Sequence, residues 1–220
     1  MMKQPNPLAA ASVLALLVAT AGPGFAQGGA GKPPTNPGNN AQAVGAEALA
    51  LFERVCIAAL ARRQPAESVA NAELGGSPRV PAERLRVNGP VRETAGWRVQ
   101  GQRGRHTVMM LEPGEQCAVY TEGVDPDAFL DGAQALMQRA DALPGWMRQG
   151  QPSRSASPRP FGMLTYVRAR YTSVLPPVGK PPPSGPVPLP VANLIASAAN
   201  RTDGRPNTAV ITTDIEVTPR

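Results

Sequence analysis

The chain of 220 residues has few of the residue types from which most catalytic and metal sites are built, since it contains only two cysteines and one histidine. These are too few for a structural zinc site, which takes four such ligands. No serine lies in a Gly-x-Ser-x-Gly motif, and no phosphate-binding Gly-Lys-Ser/Thr loop or Gly-x-Gly-x-x-Gly fingerprint occurs. The sequence therefore predicts no metal and no cofactor.

Acidic residues are missing from a long stretch of the chain. Between Ala142 and Thr202 there are six arginines and Lys180 but no Asp or Glu, and the whole chain has a formal net charge of +6. On its own, such a stretch is more often a solvated surface without a specific ligand. The alternative is an anionic partner: lipid headgroups or acidic polysaccharide of the cell envelope, or an acidic partner protein. The candidate binding residues are Arg148, Arg154, Arg159, Arg168 and Arg170.

No apolar run is long enough to span a membrane, which takes about 20 residues. The longest run, Leu8 to Ala21, has 14 residues, follows Lys3, and precedes the small residues Gly24 and Ala26. This layout predicts a secretory signal peptide over residues 1–26, with no transmembrane segment after cleavage. We therefore expect a periplasmic or secreted protein, and nucleic acid is not an expected partner.

The composition divides the rest of the chain into two parts. Residues 27–43 are rich in glycine, proline and asparagine and predict a disordered linker. Residues 44–220 are then one domain. Within it, the segment 175–190 has eight prolines in sixteen residues, which predicts an extended loop outside any sheet ladder. We read it as an insertion between strands, with a docking motif as the alternative.

The first half of the domain shows helical and then strand patterns. Apolar residues from Val44 to Leu60 recur at three- and four-residue spacing, which predicts an amphipathic helix ending before Pro65. A short second helix, AESVANAEL, is predicted next. Residues 96–121 alternate around two turns, GQRGR and EPGE, and predict a three-stranded meander.

The second half opens with a strong helix signal and closes with strands. Asp125 is the predicted N-cap, with Pro126 in the first helical position. The polar run QGQPSRSASPRP is predicted to be a loop, and strands are predicted in FGMLTYVRARYTSVL, VANLIASAA and TAVITTDIEV. This order predicts an α+β fold, with a largely antiparallel sheet of about five to six strands and two main helices packed on one face.

The two cysteines are predicted to form a structural disulfide. Cys56 lies on the apolar face of the first helix and Cys117 at the start of the third meander strand. An exported protein with an even, low number of cysteines most plausibly pairs them. Two free buried thiols, or a functional thiol near His106, are the alternatives.

The single histidine and the two tryptophans are the other residues of interest. His106 at the start of a strand is either a surface or hydrogen-bonded residue, or the centre of an enzyme site built with nearby acids. Trp97 and Trp146 either fill the core or line a groove; we expect the core, because the chain has nine aromatic residues.

ALALFERVCIAAL, the Gly-Trp strand and LEPGEQCAV together resemble small, functionally uncharacterised exported proteins of Gram-negative bacteria. In those proteins a helix cysteine and a Pro-Gly-x-x-Cys strand recur. The resemblance covers about residues 46–145 and implies no activity. The sequence thus favours a non-catalytic binding or envelope-associated accessory domain, with a periplasmic enzyme built around His106 as the alternative.

Overall fold

A computed structural model of the protein describes residues 37–80, 92–112, 116–139, 142–175 and 189–216. The predicted signal peptide, the linker up to residue 36, the EPGE turn at 113–115 and most of the proline-rich loop lie outside these ranges. The described residues form helices packed on a large antiparallel sheet, so the predicted α+β class is confirmed. None of the helices that the structure describes is long and apolar enough to cross a membrane.

The first predicted helix is present and contains a π-helical turn. Helix α1, Pro37–Phe52, continues into the π-helical turn Glu53–Ile57 and then into α2, Ala58–Arg62. It begins inside the segment predicted to be a linker, because proline is well suited to the first helical position. Arg63 closes the helix in the left-handed conformation, with φ of 54°.

Two further helices lie where the sequence predicts them. Helix α3 spans Ala66–Leu74 and matches the AESVANAEL segment. Helix α4 spans Pro126–Gln138, and the Asp125 side chain accepts hydrogen bonds from the backbone N–H groups of Asp127 and Ala128, both at 3.1 Å. Asp125 is therefore the N-cap, as expected.

Within the described ranges the sheet has eight strands rather than five or six. All are paired antiparallel, in the order β1-β2-β3-β8-β7-β6-β4, with β5 also pairing with β6. The strands are β1 Arg92–Gln100, β2 Arg105–Glu112, β3 Gln116–Glu122, β4 Trp146–Arg148, β5 Ser153–Arg159, β6 Gly162–Ser173, β7 Val191–Arg201 and β8 Thr208–Glu216. The last strand therefore lies near the middle of the sheet, between β3 and β7.

The two additional strands are β4 and β5. β5 falls in the polar run predicted to be a loop, and that prediction was wrong. Its residues pair with Gly162–Arg168 of β6 although they are almost all exposed, so no alternation of apolar and polar residues marks the strand. β4 has only three residues and pairs with Tyr171–Ser173. Both lie along one side of β6, where strand formation depends on the neighbouring strand.

The helices cover one face of the sheet, which we call the inner face; the opposite face is the outer face. The inner-face core includes Val108, Val119, Ile211, Leu194 and Val167, all fully buried beneath side chains of the helices. A smaller cluster of Met109, Leu111 and Ala118 is buried on the outer face. The sheet therefore buries apolar residues on both sides, with the larger core beneath the helices.

The disulfide predicted between Cys56 and Cys117 is present, with the Cα atoms 5.6 Å apart. Cys56 lies in the π-helical turn and Cys117 near the start of β3, and both are buried. The bond links residues 61 positions apart in sequence. It therefore fixes the first helix to the centre of the sheet.

Candidate functional site

The sheet register separates the five candidate arginines into two groups. Directly opposed residues of an antiparallel sheet project from the same face. Arg154 is opposite the buried Val167, and Arg148 is opposite Tyr171, whose hydroxyl donates to a carbonyl of α4. Arg148 and Arg154 therefore lie on the inner face, beside the helix.

Both inner-face arginines are engaged by α4. Arg148 Nη1 donates to the carbonyl oxygens of Met137 and Gln138 at 3.1 and 2.8 Å, at the C-terminal end of the helix where unpaired carbonyls favour a cation. Arg154 contacts the carboxylates of Asp127 and Asp131 at 2.8 and 2.7 Å. Their charges stabilise the docking of α4, and they are poor candidates for an external anion.

The other three candidates, Arg159, Arg168 and Arg170, share the outer face. Arg168 and Arg170 are two residues apart on β6, so their side chains leave the same side of the strand about 7 Å apart. Arg159 is opposite Gly162 of β6. Gly162 is an even number of residues from Arg168 and Arg170, so all of these positions project from the same face of the sheet. All three are exposed. The fold thus brings together three of the five predicted binding residues.

Acidic side chains on the outer face hydrogen-bond to neighbouring residues. Tyr120 donates its hydroxyl to Glu122 at 2.7 Å, and the Gln116 amide donates to Asp214 at 3.1 Å. In the described ranges no carboxylate forms an ion pair with Arg159 or Arg168. Within the described ranges, Arg159 and Arg168 therefore give the β5–β6 part of the outer face positive charge that is open to an anion.

His106 is buried rather than on the surface, with 2% of its side chain exposed. Its Nδ1 lies 3.0 Å from Thr121 Oγ1 and its Nε2 lies 3.3 Å from Glu47 Oε2. The Nε2–H group donates to the Glu47 carboxylate, and Nδ1 pairs with the Thr121 hydroxyl, which can itself donate to the Arg105 carbonyl at 3.5 Å. His106 is thus a hydrogen-bonded histidine, one of the alternatives that the sequence allows.

Glu47 lies at the centre of this cluster. Its oxygens also accept hydrogen bonds from the backbone N–H groups of Arg103, at 2.9 and 3.1 Å, and of Gly104, at 3.2 Å. Burial by itself raises the pKa of the Glu47 carboxyl, but the hydrogen bonds from Arg103, His106 and Gly104 outweigh burial and hold the pKa below its usual value. Glu47 of α1 therefore anchors the β1–β2 turn as an ionised group.

An open groove of about 550 Å³ lies beside this cluster, lined by both polar and apolar residues. Glu47 and His106 line it together with Val99 and Gly101. An acid–base role needs a ring nitrogen or carboxylate oxygen that can reach substrate. Here the carboxylate and both ring nitrogens have partners within the protein, and Thr121, the one hydroxyl in the cluster, is fully buried. The geometry is better suited to stabilising the fold than to catalysis.

Sequence reasoning does not find Glu47, because it is one of several polar residues on an amphipathic helix and lies 59 positions from His106. The two glycines of the GQRGR turn are a partial signal. A Cβ atom on Gly101 would clash with Glu47 Oε2, so the turn needs glycine to admit the carboxylate.

Among the described residues, no group of three or more His, Cys, Asp and Glu side chains is placed to hold a metal ion. Trp97 is buried in the core, with 1% of its surface exposed, as expected. Its ring lies 5.1 Å from the Arg79 guanidinium. Trp146 is only partly buried and packs at the margin of the same core.

No family model, curated protein or solved structure matches the chain. The resemblance to small exported proteins of Gram-negative bacteria therefore stays a prediction. Function has to be argued from the geometry of the chain itself.

Replacing Glu47 with glutamine is expected to destabilise the protein at neutral pH by about 1–3 kcal/mol, because the charge-assisted hydrogen bonds from the His106 ring and from the backbone of the β1–β2 turn are lost. A carboxyl group whose pKa is lowered by folding stabilises the folded protein at pH values above its pKa in the unfolded chain. This contribution disappears as the pH falls through its pKa in the folded protein. The difference between wild type and E47Q should therefore shrink in acid. Urea unfolding across this pH range measures it.

Glu67→Gln is the matched control, because Glu67 makes only an exposed ion pair with Arg79. Such pairs contribute at most about 1 kcal/mol. An E47Q effect no larger than that of E67Q, or one that does not change with pH, would contradict the anchoring role of Glu47.

Proposed function

We propose that this protein is an exported, non-catalytic accessory domain that binds an anionic component of the cell envelope through the outer face of its sheet. The proposal rests on the sheet register, which places two of the five candidate arginines on the inner face and three on the outer face. Arg159, Arg168 and Arg170 are exposed on one face, in a part of the chain without acidic residues.

The proposed location outside the cytoplasm is supported by the signal-peptide pattern and by the disulfide. Disulfides form and persist in oxidising compartments and are rare in the cytosol. The bond between Cys56 and Cys117 is buried in the core, so its role is structural. An acidic polysaccharide, a phospholipid surface and an acidic partner protein all present anions in that compartment.

Binding is proposed in preference to catalysis because the polar groups around His106 are bonded to one another, whereas the arginines of the outer face are exposed. An enzyme site needs reactive groups that face substrate, and the His106 cluster directs its groups toward one another. The guanidinium groups of Arg159 and Arg168 instead face solvent. Arginine suits this role because its planar group donates several parallel hydrogen bonds to phosphate or carboxylate oxygens.

The test is retention on an immobilised acidic polysaccharide, eluted with salt. Arg168→Glu is expected to weaken binding about thirtyfold, since each basic side chain near an anionic surface contributes about 1 kcal/mol and the reversal changes the charge by two. Elution should move to lower salt concentration.

Arg62→Glu is the control, because Arg62 is exposed in α2 on the helical side and the reversal changes the net charge equally. Circular dichroism checks that both variants fold. Equal loss of retention in R62E and R168E would show that only net charge matters, and the proposed binding face would be wrong.

A further inference from the structure

Large apolar side chains are exposed mainly at one end of the sheet. Within the described ranges five large hydrophobic residues are strongly exposed, and four of them lie where β4, β6 and β7 meet. These four, which we call the apolar end, are Met147, Val174, Leu175 and Leu189, with 57%, 55%, 48% and 41% of their surfaces exposed. The clustering of such residues marks an interaction surface rather than scattered exposure.

Backbone and side-chain contacts hold the apolar end in place. The Val174 N–H donates to the carbonyl of Gly145 at 3.1 Å, next to β4. The Ser173 N–H donates to the carbonyl of Pro190 at 2.9 Å, which places the neighbouring Leu189 beside the end of β6. Arg63 donates to the Leu175 carbonyl at 3.1 Å. The exposed apolar side chains are thus carried on fixed backbone.

The apolar end adjoins the outer-face arginines. Met147 is opposite Thr172, which is two residues from Arg170 and four from Arg168 on the same side of β6. From Arg168 to Val174 the chain advances about 20 Å. One surface therefore carries guanidinium groups and, beside them, exposed methionine, valine and leucine side chains.

This combination distinguishes a membrane surface from a soluble polyanion such as an acidic polysaccharide. A polysaccharide or another soluble polyanion offers charge but no apolar phase, so it gives no reason for the apolar end. A bilayer interface offers both, because phosphate groups bind cations at the headgroup level and apolar side chains enter the boundary beneath them. Arginine matches the phosphate oxygens in geometry as well as charge.

We propose that the outer face at the apolar end docks on a membrane surface that contains anionic phospholipid, with Arg168 at the phosphates and Met147 and Val174 inserted below them. This inference rests on the proposed function and adds the identity of the anionic component. It describes docking from the aqueous side, with no helix crossing the bilayer.

The experiment uses the mature protein with vesicles of phosphatidylglycerol mixed with phosphatidylcholine, and with vesicles of phosphatidylcholine alone. Binding is measured by co-sedimentation at several salt concentrations. We expect binding to the anionic vesicles only. The double variant Met147→Ser/Val174→Ser should bind them about tenfold more weakly, the size expected when two partly inserted apolar side chains are lost. Its retention on the acidic polysaccharide should not change.

Met163→Ser is the matched control. Met163 is 42% exposed but lies at the opposite end of β6, away from the apolar end. Its replacement should leave vesicle binding unchanged. Thermal unfolding of each variant confirms that the fold is retained.

The possible failures are distinguishable. Unaltered vesicle binding by the Met147/Val174 variant would overturn the membrane inference and leave Arg168-dependent polyanion binding in place. Retention on polysaccharide without any vesicle binding would do the same and would favour a soluble polyanion. A wild-type dimer that the double variant converts to a monomer would assign the apolar end to self-association and overturn docking. If R168E binds both probes like wild type, the proposed function fails too.

Discussion

Replacing Cys56 and Cys117 together with alanine is expected to lower the free energy of unfolding by about 4 kcal/mol. The disulfide closes a loop between residues 61 positions apart. Its main effect is on the unfolded chain, whose conformational entropy it reduces. Because single domains are stable by only about 5–15 kcal/mol, the variant should lose a large share of its stability.

Urea unfolding of the wild type, of the double-alanine variant and of the wild type with a reductant measures this effect. The reduced wild type and the variant should unfold at similar, lower urea concentrations. Alkylation of unfolded protein before and after reduction is the check on the bond itself. Modification of both thiols without reductant would show that the bond is not formed, and an unchanged unfolding midpoint would show that it does not stabilise the protein.

Replacing Trp97 with alanine is expected to cost about 3–5 kcal/mol, the usual range for removal of a fully buried tryptophan side chain. Trp97 lies on β1 opposite Val108, in the core beneath the helices, and its ring contacts the Arg79 guanidinium. The loss leaves a cavity that the surrounding strands can fill only in part. Circular dichroism in urea is the suitable measurement, because the substitution removes one of two fluorophores.

Trp146→Ala provides the same chemical change at a partly exposed site. Because part of the Trp146 ring already faces solvent, we expect a cost of about 1–2 kcal/mol. If Trp97→Ala lowers the free energy of unfolding no more than Trp146→Ala does, Trp97 is not a core residue, and the alternative that it lines a groove is the better description.

Those parts of the fold that depend on local patterns are predictable from the sequence. The apolar spacing before Pro65, the Asp125 cap and the meander strands each correspond to an element that the structure describes. The disulfide follows from two cysteines, one on the apolar face of a helix and one at the start of a strand. For the helices and the meander, residues near one another in sequence contain the information, whereas the disulfide is predictable because two cysteines allow only one pairing.

Elements that depend on distant neighbours are not predictable in this way. β5 is polar on both faces and is a strand because β6 offers it backbone partners. Glu47 is an ordinary helical acid until the fold brings the β1–β2 turn to it. The five candidate arginines look alike in the sequence, and only the register separates the inner-face pair, Arg148 and Arg154, from the three on the outer face.

The position of β8 has a consequence for how the chain reaches its final form. β1–β3 form one half of the sheet and β4–β7 the other, and β8, made after all of them, is the strand between the two halves. The two halves cannot pair through the sheet while the ribosome still holds the last strand. The sheet is therefore completed only after synthesis, when β8 is released and pairs with β3 on one side and with β7 on the other.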